Sequence, residues 1–204
     1  MASFRRARDT FYAIYYLIHL PISILFDSQL IFPMSWFSPT LLHQSDLYIR
    51  NFKDPLVGNA PAWFLASIYI EIFLMVPFFV VGFFGALKGI EETSVMDSRS
   101  ASVNGILRLS SNASRMRIPS IIYGTTVITQ CLPMITYVLV DEFEGSRIKP
   151  ATDSERWLIA GIYGSFFLVG ATILLDNLFF RTAPKDDKNF KSRLNEILAN
   201  RKRQ

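Results

Sequence analysis

The stretch AWFLASIYIEIFLMVPFFVVGFFGAL, residues 62–87, runs on with a single charged side chain, Glu71. A helix rises about 1.5 Å per residue and a bilayer's hydrocarbon core is about 30 Å thick, so roughly 20 apolar residues cross it. The stretch reads as a membrane-spanning helix. Three further windows, 11–32, 118–140 and 157–180, meet the same condition. The fold class expected is therefore an all-α integral membrane protein, a four-transmembrane-helix bundle. Pro21, Pro77 and Pro133 each fall inside a different span. Each frees a carbonyl and is expected to kink its helix, which splays the bundle around an apolar pocket.

Composition supports a membrane chain. Half of the 204 residues are hydrophobic and 14% are aromatic, a proportion too apolar for a soluble domain of this size. One cysteine, Cys131, excludes an internal disulfide and a CxxC zinc site, and two histidines, His19 and His43, leave little for a metal. No internal repeat, glycine-rich phosphate loop or nucleophile elbow is present. No metal site, catalytic motif or cofactor is expected.

Basic residues set the expected orientation. The tail 1–10 carries three Lys or Arg, the connection 88–117 five and the tail 181–204 eight, against two in 33–61 and three in 141–156. The positive-inside rule then puts both termini and the 88–117 loop in the cytosol, with 33–61 and 141–156 on the luminal side. The first span is not read as a signal peptide, because its apolar run is long, no A-x-A-like site follows and Asp27 lies where cleavage would fall. On this topology the sequon Asn112-Ala113-Ser114 faces the cytosol and stays unmodified.

The connections differ in character. Loop 33–61, with its prolines and aromatics, is expected to fold over the luminal end of the bundle as a lid. The Ser-rich segment 92–117 reads as a mobile cytosolic loop. In the tail, Phe190, Leu194 and Leu198 recur at helical spacing among basic residues, a pattern shared by surface-bound basic helices and by plain solvated tails.

Charges inside spans default to the bundle interior. Asp27, Glu71 and Asp176 qualify, and Asp176, near the end of its span and close to Arg181, reads as structural. Tyr12, Tyr16, His19, Ser23 and Asp27 fall within an arc of about 80° on the first helix, and Tyr123, Thr126, Gln130 and Tyr137 within about 60° on the third. Such stripes either glue helices together or wall a cavity. At 1.5 Å per residue, Asp27 lies about 24 Å from the cytosolic face and Glu71 about 14 Å below the luminal one. Their nominal heights thus differ by roughly 8 Å, near enough for a pair once end errors are allowed for. Adjacent carboxylates in a low dielectric would share one proton and carry one negative charge, which suits a cationic amine or a hydroxyl.

The motifs YYLIHLPISILFDSQ in the first span, FKDP and APAWF before the second, Glu71 followed by VPFF, and RIPSIIYG opening the third strongly resemble the EXPERA family, on a receptor-type branch. The resemblance spans residues 10–180. It implies four helices in the endoplasmic-reticulum membrane around a pocket for a sterol or hydroxysterol and for cationic amphiphilic amines, linked to intracellular sterol homeostasis or trafficking. Asp27 is then the carboxylate facing the ligand amine and Glu71 its hydrogen-bonding partner, while His19, Tyr48, Phe64, Gln130, Met134 and Tyr163 match pocket-lining positions. Protein clients and a homodimer are further partners that the resemblance leaves room for; no nucleic acid is. Two departures stand out: a longer loop between the second and third spans, and Ser67 and Met75 in place of larger or more polar wall residues.

The sister branch of emopamil-binding proteins isomerises sterol double bonds, which needs an acid and a base in one dry pocket. In that branch a carboxylate follows the first-helix histidine by four residues, whereas here Ser23 stands there, and Trp157 lies only at the edge of the fourth span. A hydroxyl substitutes poorly for a carboxylate in proton transfer, so binding without turnover is the reading. A membrane adaptor or quality-control factor, using the long loop and basic tail, is the alternative; a transporter is disfavoured by the absence of inverted repeats. The final RKRQ resembles a dilysine retrieval signal with arginine replacing one lysine.

Overall fold

The computed structural model describes the backbone of residues 2–97 and 103–180, and the side chains of 6–88 and 116–179. Among these residues the secondary structure is helical throughout, with no strand. Four segments are long and apolar enough to cross a membrane: Arg6–Leu30, Ala62–Lys88, Met116–Val140 and Asp153–Phe179. They lie within a few residues of the expected windows.

The first long helix, α1, is Ala2–Leu25, followed by a 3-10 turn over Asp27–Leu30 and another at Met34–Trp36. Two short helices then form from local signals that the expected lid already contained. In α2, Pro39–Phe52, the Ser38 hydroxyl accepts from the Leu41 N–H and Pro39 opens the first turn. In α3, Pro55–Asn59, Asp54 plays the same part ahead of Pro55. Both follow the rule that an oxygen side chain caps a helix whose first residue is proline. Lys53 and Ala60 end these helices in the left-handed region, at φ 52 and 45. Their N–H groups bond back to Ile49 and Leu56, a helix-stopping geometry.

The second span consists of α4, Ala62–Ile70, a π segment Glu71–Met75, and α5, Val76–Asp97. The Val76 N–H reaches five residues back to the Glu71 carbonyl. Pro77 follows directly; without an N–H it cannot continue the i−4 ladder, and the helix accommodates this with a wider turn just before it. The other span prolines lie inside continuous helices. α1 runs through Pro21 and α6, Val103–Val140, runs through Pro119 and Pro133 without a break in helix. The segment 92–117, read as mobile from sequence, is helical up to Asp97 and again from Val103. Residues 98–102 and the tail 181–204, with its amphipathic pattern and RKRQ, lie outside the described residues.

The fourth span is α7, Asp153–Leu175, continued by a π segment Asp176–Phe180. Thr152 caps it by accepting from the Glu155 N–H, and Glu155 also binds Lys53 at the end of α2. That ion pair fastens the α2 cover to the fourth span. The bundle is built from two closely packed pairs, α1 with α5 and α6 with α7. Gly124 and Gly170 let the second pair approach: a Cβ on Gly124 would stand 2.8 Å from the Gly170 carbonyl oxygen. Small residues at such crossings are how helices in lipid gain contact. Outward-facing Phe11, Ile14, Leu17, Phe73, Phe84, Leu132 and Leu168 stay exposed, as a lipid-facing surface requires.

Polar contacts lock the end of the bundle where α1 begins. Arg8 pairs with Asp176 at 2.9 Å, and the Arg117 guanidinium donates to the Asn177 carbonyl in the π segment after α7. Asp176 is therefore an ion-pair member, as a structural role demands. Its partner is Arg8, far off in sequence.

Candidate functional site

A cavity of about 840 Å³ opens among the helices beneath α2. All eight residues singled out above, His19, Asp27, Tyr48, Phe64, Glu71, Gln130, Met134 and Tyr163, line it. Leu42 and Ile49 of α2 form part of the wall, so the segment 33–61 does fold over one end of the cavity. Most of the remaining wall is apolar: Ile68, Met75, Phe79, Val127 and Phe166.

The carboxylates meet at one place. Glu71 opens the π segment, where the helix widens. The Ser23 hydroxyl donates to its Oε1, and His19 Nε2 lies 3.4 Å from the same oxygen. Asp27 lies against both Glu71 and Ser23. The two acids thus meet despite the nominal height difference; α1 ends at Leu25, and Asp27 sits in the 3-10 turn that follows. A 3-10 turn, with about three residues per turn, aims its side chains differently from an α-helix. Ser23, read from sequence as a member of the polar stripe and as the group replacing a carboxylate, is a fully buried donor to Glu71.

The polar stripes separate into two functions. On α1, Tyr12 and Tyr16 are packed into the core, Tyr16 edge-on to Phe78 and Tyr123, while His19 and Ser23 reach the carboxylates. On α6, Tyr123 bonds Tyr15 at 2.8 Å and borders the cavity, and Gln130 donates to the Ser67 carbonyl across from it. Thr126 merely bonds back to Ile122 in its own helix, and Tyr137 packs edge-on against Trp63 and Phe143. Neither lines the cavity: Tyr137 joins neighbouring segments, and Thr126 does neither.

Sequence reasoning missed one residue that organises the site. Asp54 has no exposed surface. One carboxylate oxygen accepts from the Leu56 and Val57 N–H groups at 2.9 and 3.4 Å; the other accepts from Tyr48 at 3.0 Å and Tyr163 at 2.7 Å. A loop acid thereby fixes two cavity-lining phenols, one on α2 and one on α7. Burial, and after it the Asp54 charge, pushes the Tyr48 hydroxyl well above its ordinary range, so it remains a donor. The signal was present in FKDP: an aspartate directly before proline, ahead of apolar residues, is a helix-capping pattern.

Chemically the site is an apolar chamber with a small anionic cluster in its wall. Cys131 is a free, buried thiol bordering the same space. Among the described residues no group of three His, Cys, Asp or Glu side chains is placed to hold a metal ion.

The EXPERA (EXPanded EBP superfamily) family model matches residues 40–177, which takes in every element from α2 to α7. The chain is 30% identical to sigma intracellular receptor 2 of Xenopus tropicalis over 189 residues, 92% of this chain and 98% of that one. It is 26% identical to sigma intracellular receptor 2 of Homo sapiens over 175 residues, 84% and 87% of the two chains. A shorter likeness, 30% identity over 70 residues, joins it to the efficient mitochondria targeting-associated protein 19 of Saccharomyces cerevisiae, with 34% and 44% covered. The family match omits α1, but the Xenopus alignment covers nearly the whole chain. With four apolar spans folded around one chamber and a match over most of its length, the chain belongs to the EXPERA family.

Proposed function

We propose that the protein is a non-catalytic binding protein for sterols and cationic amphiphilic amines, resident in the endoplasmic-reticulum membrane and engaged in intracellular sterol homeostasis or trafficking. The observation that carries this reading is the chamber of about 840 Å³ with Asp27 and Glu71 side by side in an otherwise apolar wall. Its volume falls in the range of roughly 300–1,000 Å³ typical of small-molecule sites. An ammonium gains from the negative cluster, and a sterol hydroxyl can donate to it. The direct test is purification in mild detergent, mass spectrometry of the copurifying lipid, and competition of a sterol against an amphiphilic amine. Failure of both classes to bind folded protein overturns the reading.

The proximity of His19 to Glu71 favours one second reading, sterol double-bond isomerisation, because an acid and a base then stand in one chamber. Against it, Ser23 occupies the place of a second carboxylate on α1 and its hydrogen is spent on Glu71. Incubating the protein with a sterol carrying a ring double bond and analysing the products decides the matter: an isomerised product establishes turnover. An adaptor role toward other membrane proteins, or pairing with a second copy, would be read by crosslinking from 92–117.

Orientation belongs to the same proposal. The excess of Lys and Arg in 1–10, 88–117 and 181–204 favours cytosolic termini. Asn112 should then stay unmodified in glycosylating cells, while a sequon introduced into 141–156 gains glycan. A mass shift at Asn112 reverses the topology.

A further inference from the structure

Resting on the binding role proposed above, we infer that the chamber selects ligands by hydrogen-bond donors: it takes alcohols and protonated amines and rejects ketones of the same skeleton. The inference comes from where the hydrogens around the carboxylates already go.

The side chains that bracket the anionic cluster direct their donors to partners inside the protein. Ser23 gives its hydroxyl hydrogen to Glu71, and His19 turns Nε2 to the same oxygen. Tyr48 and Tyr163 both donate to Asp54. Gln29 donates to the Leu25 carbonyl, and Gln130 donates to the Ser67 carbonyl. A proton shared between Asp27 and Glu71 would likewise be used up between them. What these groups leave toward the chamber is lone pairs. The carboxylates of Asp27 and Glu71, the amide oxygen of Gln130 and the phenol oxygens of Tyr48 and Tyr163 can each accept a further hydrogen bond. The donors left over are the second amide hydrogens of Gln29 and Gln130, the Ser45 hydroxyl, the amide of Gln44 on the exposed face of α2, and the hydroxyl hydrogen that the Tyr15–Tyr123 pair does not use; none of them belongs to the carboxylate cluster itself.

An imbalance of this kind discriminates more sharply than apolar fit. A hydroxyl placed at the cluster donates to a carboxylate, while a ketone there sets its oxygen against other acceptors and leaves itself unsatisfied in a dry site. Sites built to bond one partner type reject the analogue lacking it far more strongly than hydrophobic walls reject an added methylene. A carboxylate-bearing lipid is excluded even more firmly, since like charges would face each other.

The test uses the full-length protein in detergent with a matched saturated pair, cholestanol and cholestan-3-one, which share the ring skeleton and side chain and differ in the oxygen function. The alcohol should bind at least tenfold more tightly. Asp27→Asn replaces one acceptor oxygen with an amide donor, and should shrink that ratio at least fivefold, partly through a gain in ketone binding that a misfolded protein would not give. Equal affinities in the wild type overturn the inference while leaving the binding role intact. An unchanged ratio in the variant overturns the assignment of selectivity to the cluster. Binding of neither sterol, with the amine retained or lost, overturns the sterol half of the proposed function and this inference with it.

Discussion

Asp54 and the half-buried Asp27–Glu71 cluster are acids within a single chamber's reach, and they differ in how fully they are satisfied. Asp54 accepts four hydrogen bonds, two from backbone and two from phenols, and has no exposed surface. Asp27 and Glu71 share a few donors, chiefly Ser23 and His19, and face each other and the open space. An acid whose lone pairs are all taken holds a structure together. One left short of donors in a dry place has capacity for a ligand, because an unmet charge there is costly until something meets it. Asp176 sides with Asp54 in this comparison, since Arg8 neutralises it directly.

The sharpest way to break the comparison is Asp27→Asn. Removing one member of a buried charge pair typically costs about 3–5 kcal/mol, so affinity for a cationic amphiphilic amine should fall by two to three decades. Affinity for a neutral sterol should change far less, and the melting temperature should barely move. Amine binding within threefold of wild type in folded protein would make Asp27 structural. Asp54→Ala should do the reverse. It strands two phenols and two backbone N–H groups, a loss of about 3 kcal/mol in stability, read as a drop of roughly 5–10 °C in melting temperature. If instead the variant melts as wild type does and loses only ligand, the two acids have been assigned the wrong way round.

Glu71→Gln sharpens the contrast within the cluster. The amide still accepts from Ser23 but carries no charge, and amine affinity should weaken by about 1–2 kcal/mol, clearly less than with Asp27→Asn. An equal or larger loss would show that the ammonium addresses Glu71 itself. The smallest effect is expected from Tyr163→Phe, which takes one of four donors from Asp54. It should destabilise by about 1 kcal/mol in thermal melting and leave the ratio of amine to sterol affinity unchanged. A shift in that ratio would mean the phenol contacts ligand through more than its hold on Asp54.

Much of this molecule was legible in its sequence. Length and continuity of apolar residues specify a spanning helix wherever lipid is the solvent, because every backbone group must then be satisfied within its own segment. The four spans follow from that, as does the selection of Glu71 and Asp27, since a carboxylate in a span stands out against its neighbours. Periodicity was a weaker guide. It gathered Tyr12, Tyr16, His19, Ser23 and Asp27 on one stripe, yet two of these pack in the core, two reach the cluster from α1, and Asp27 stands beyond the helix end.

What only the tertiary structure decided was who meets whom. A pattern of 100° per residue presumes a regular helix, and this protein departs from one at both carboxylates, by a 3-10 turn at Asp27 and a π segment at Glu71. Each departure aims its side chain differently from a regular helix, and the two acids lie in contact. The pairing of Asp54 with Tyr163 across 109 positions, and of Asp176 with Arg8 across 168, likewise depends on how helices are brought side by side. Local sequence fixes a residue's depth in the membrane and its cost there; the partner that offsets the cost comes from distant segments, whose arrangement is set by packing alone.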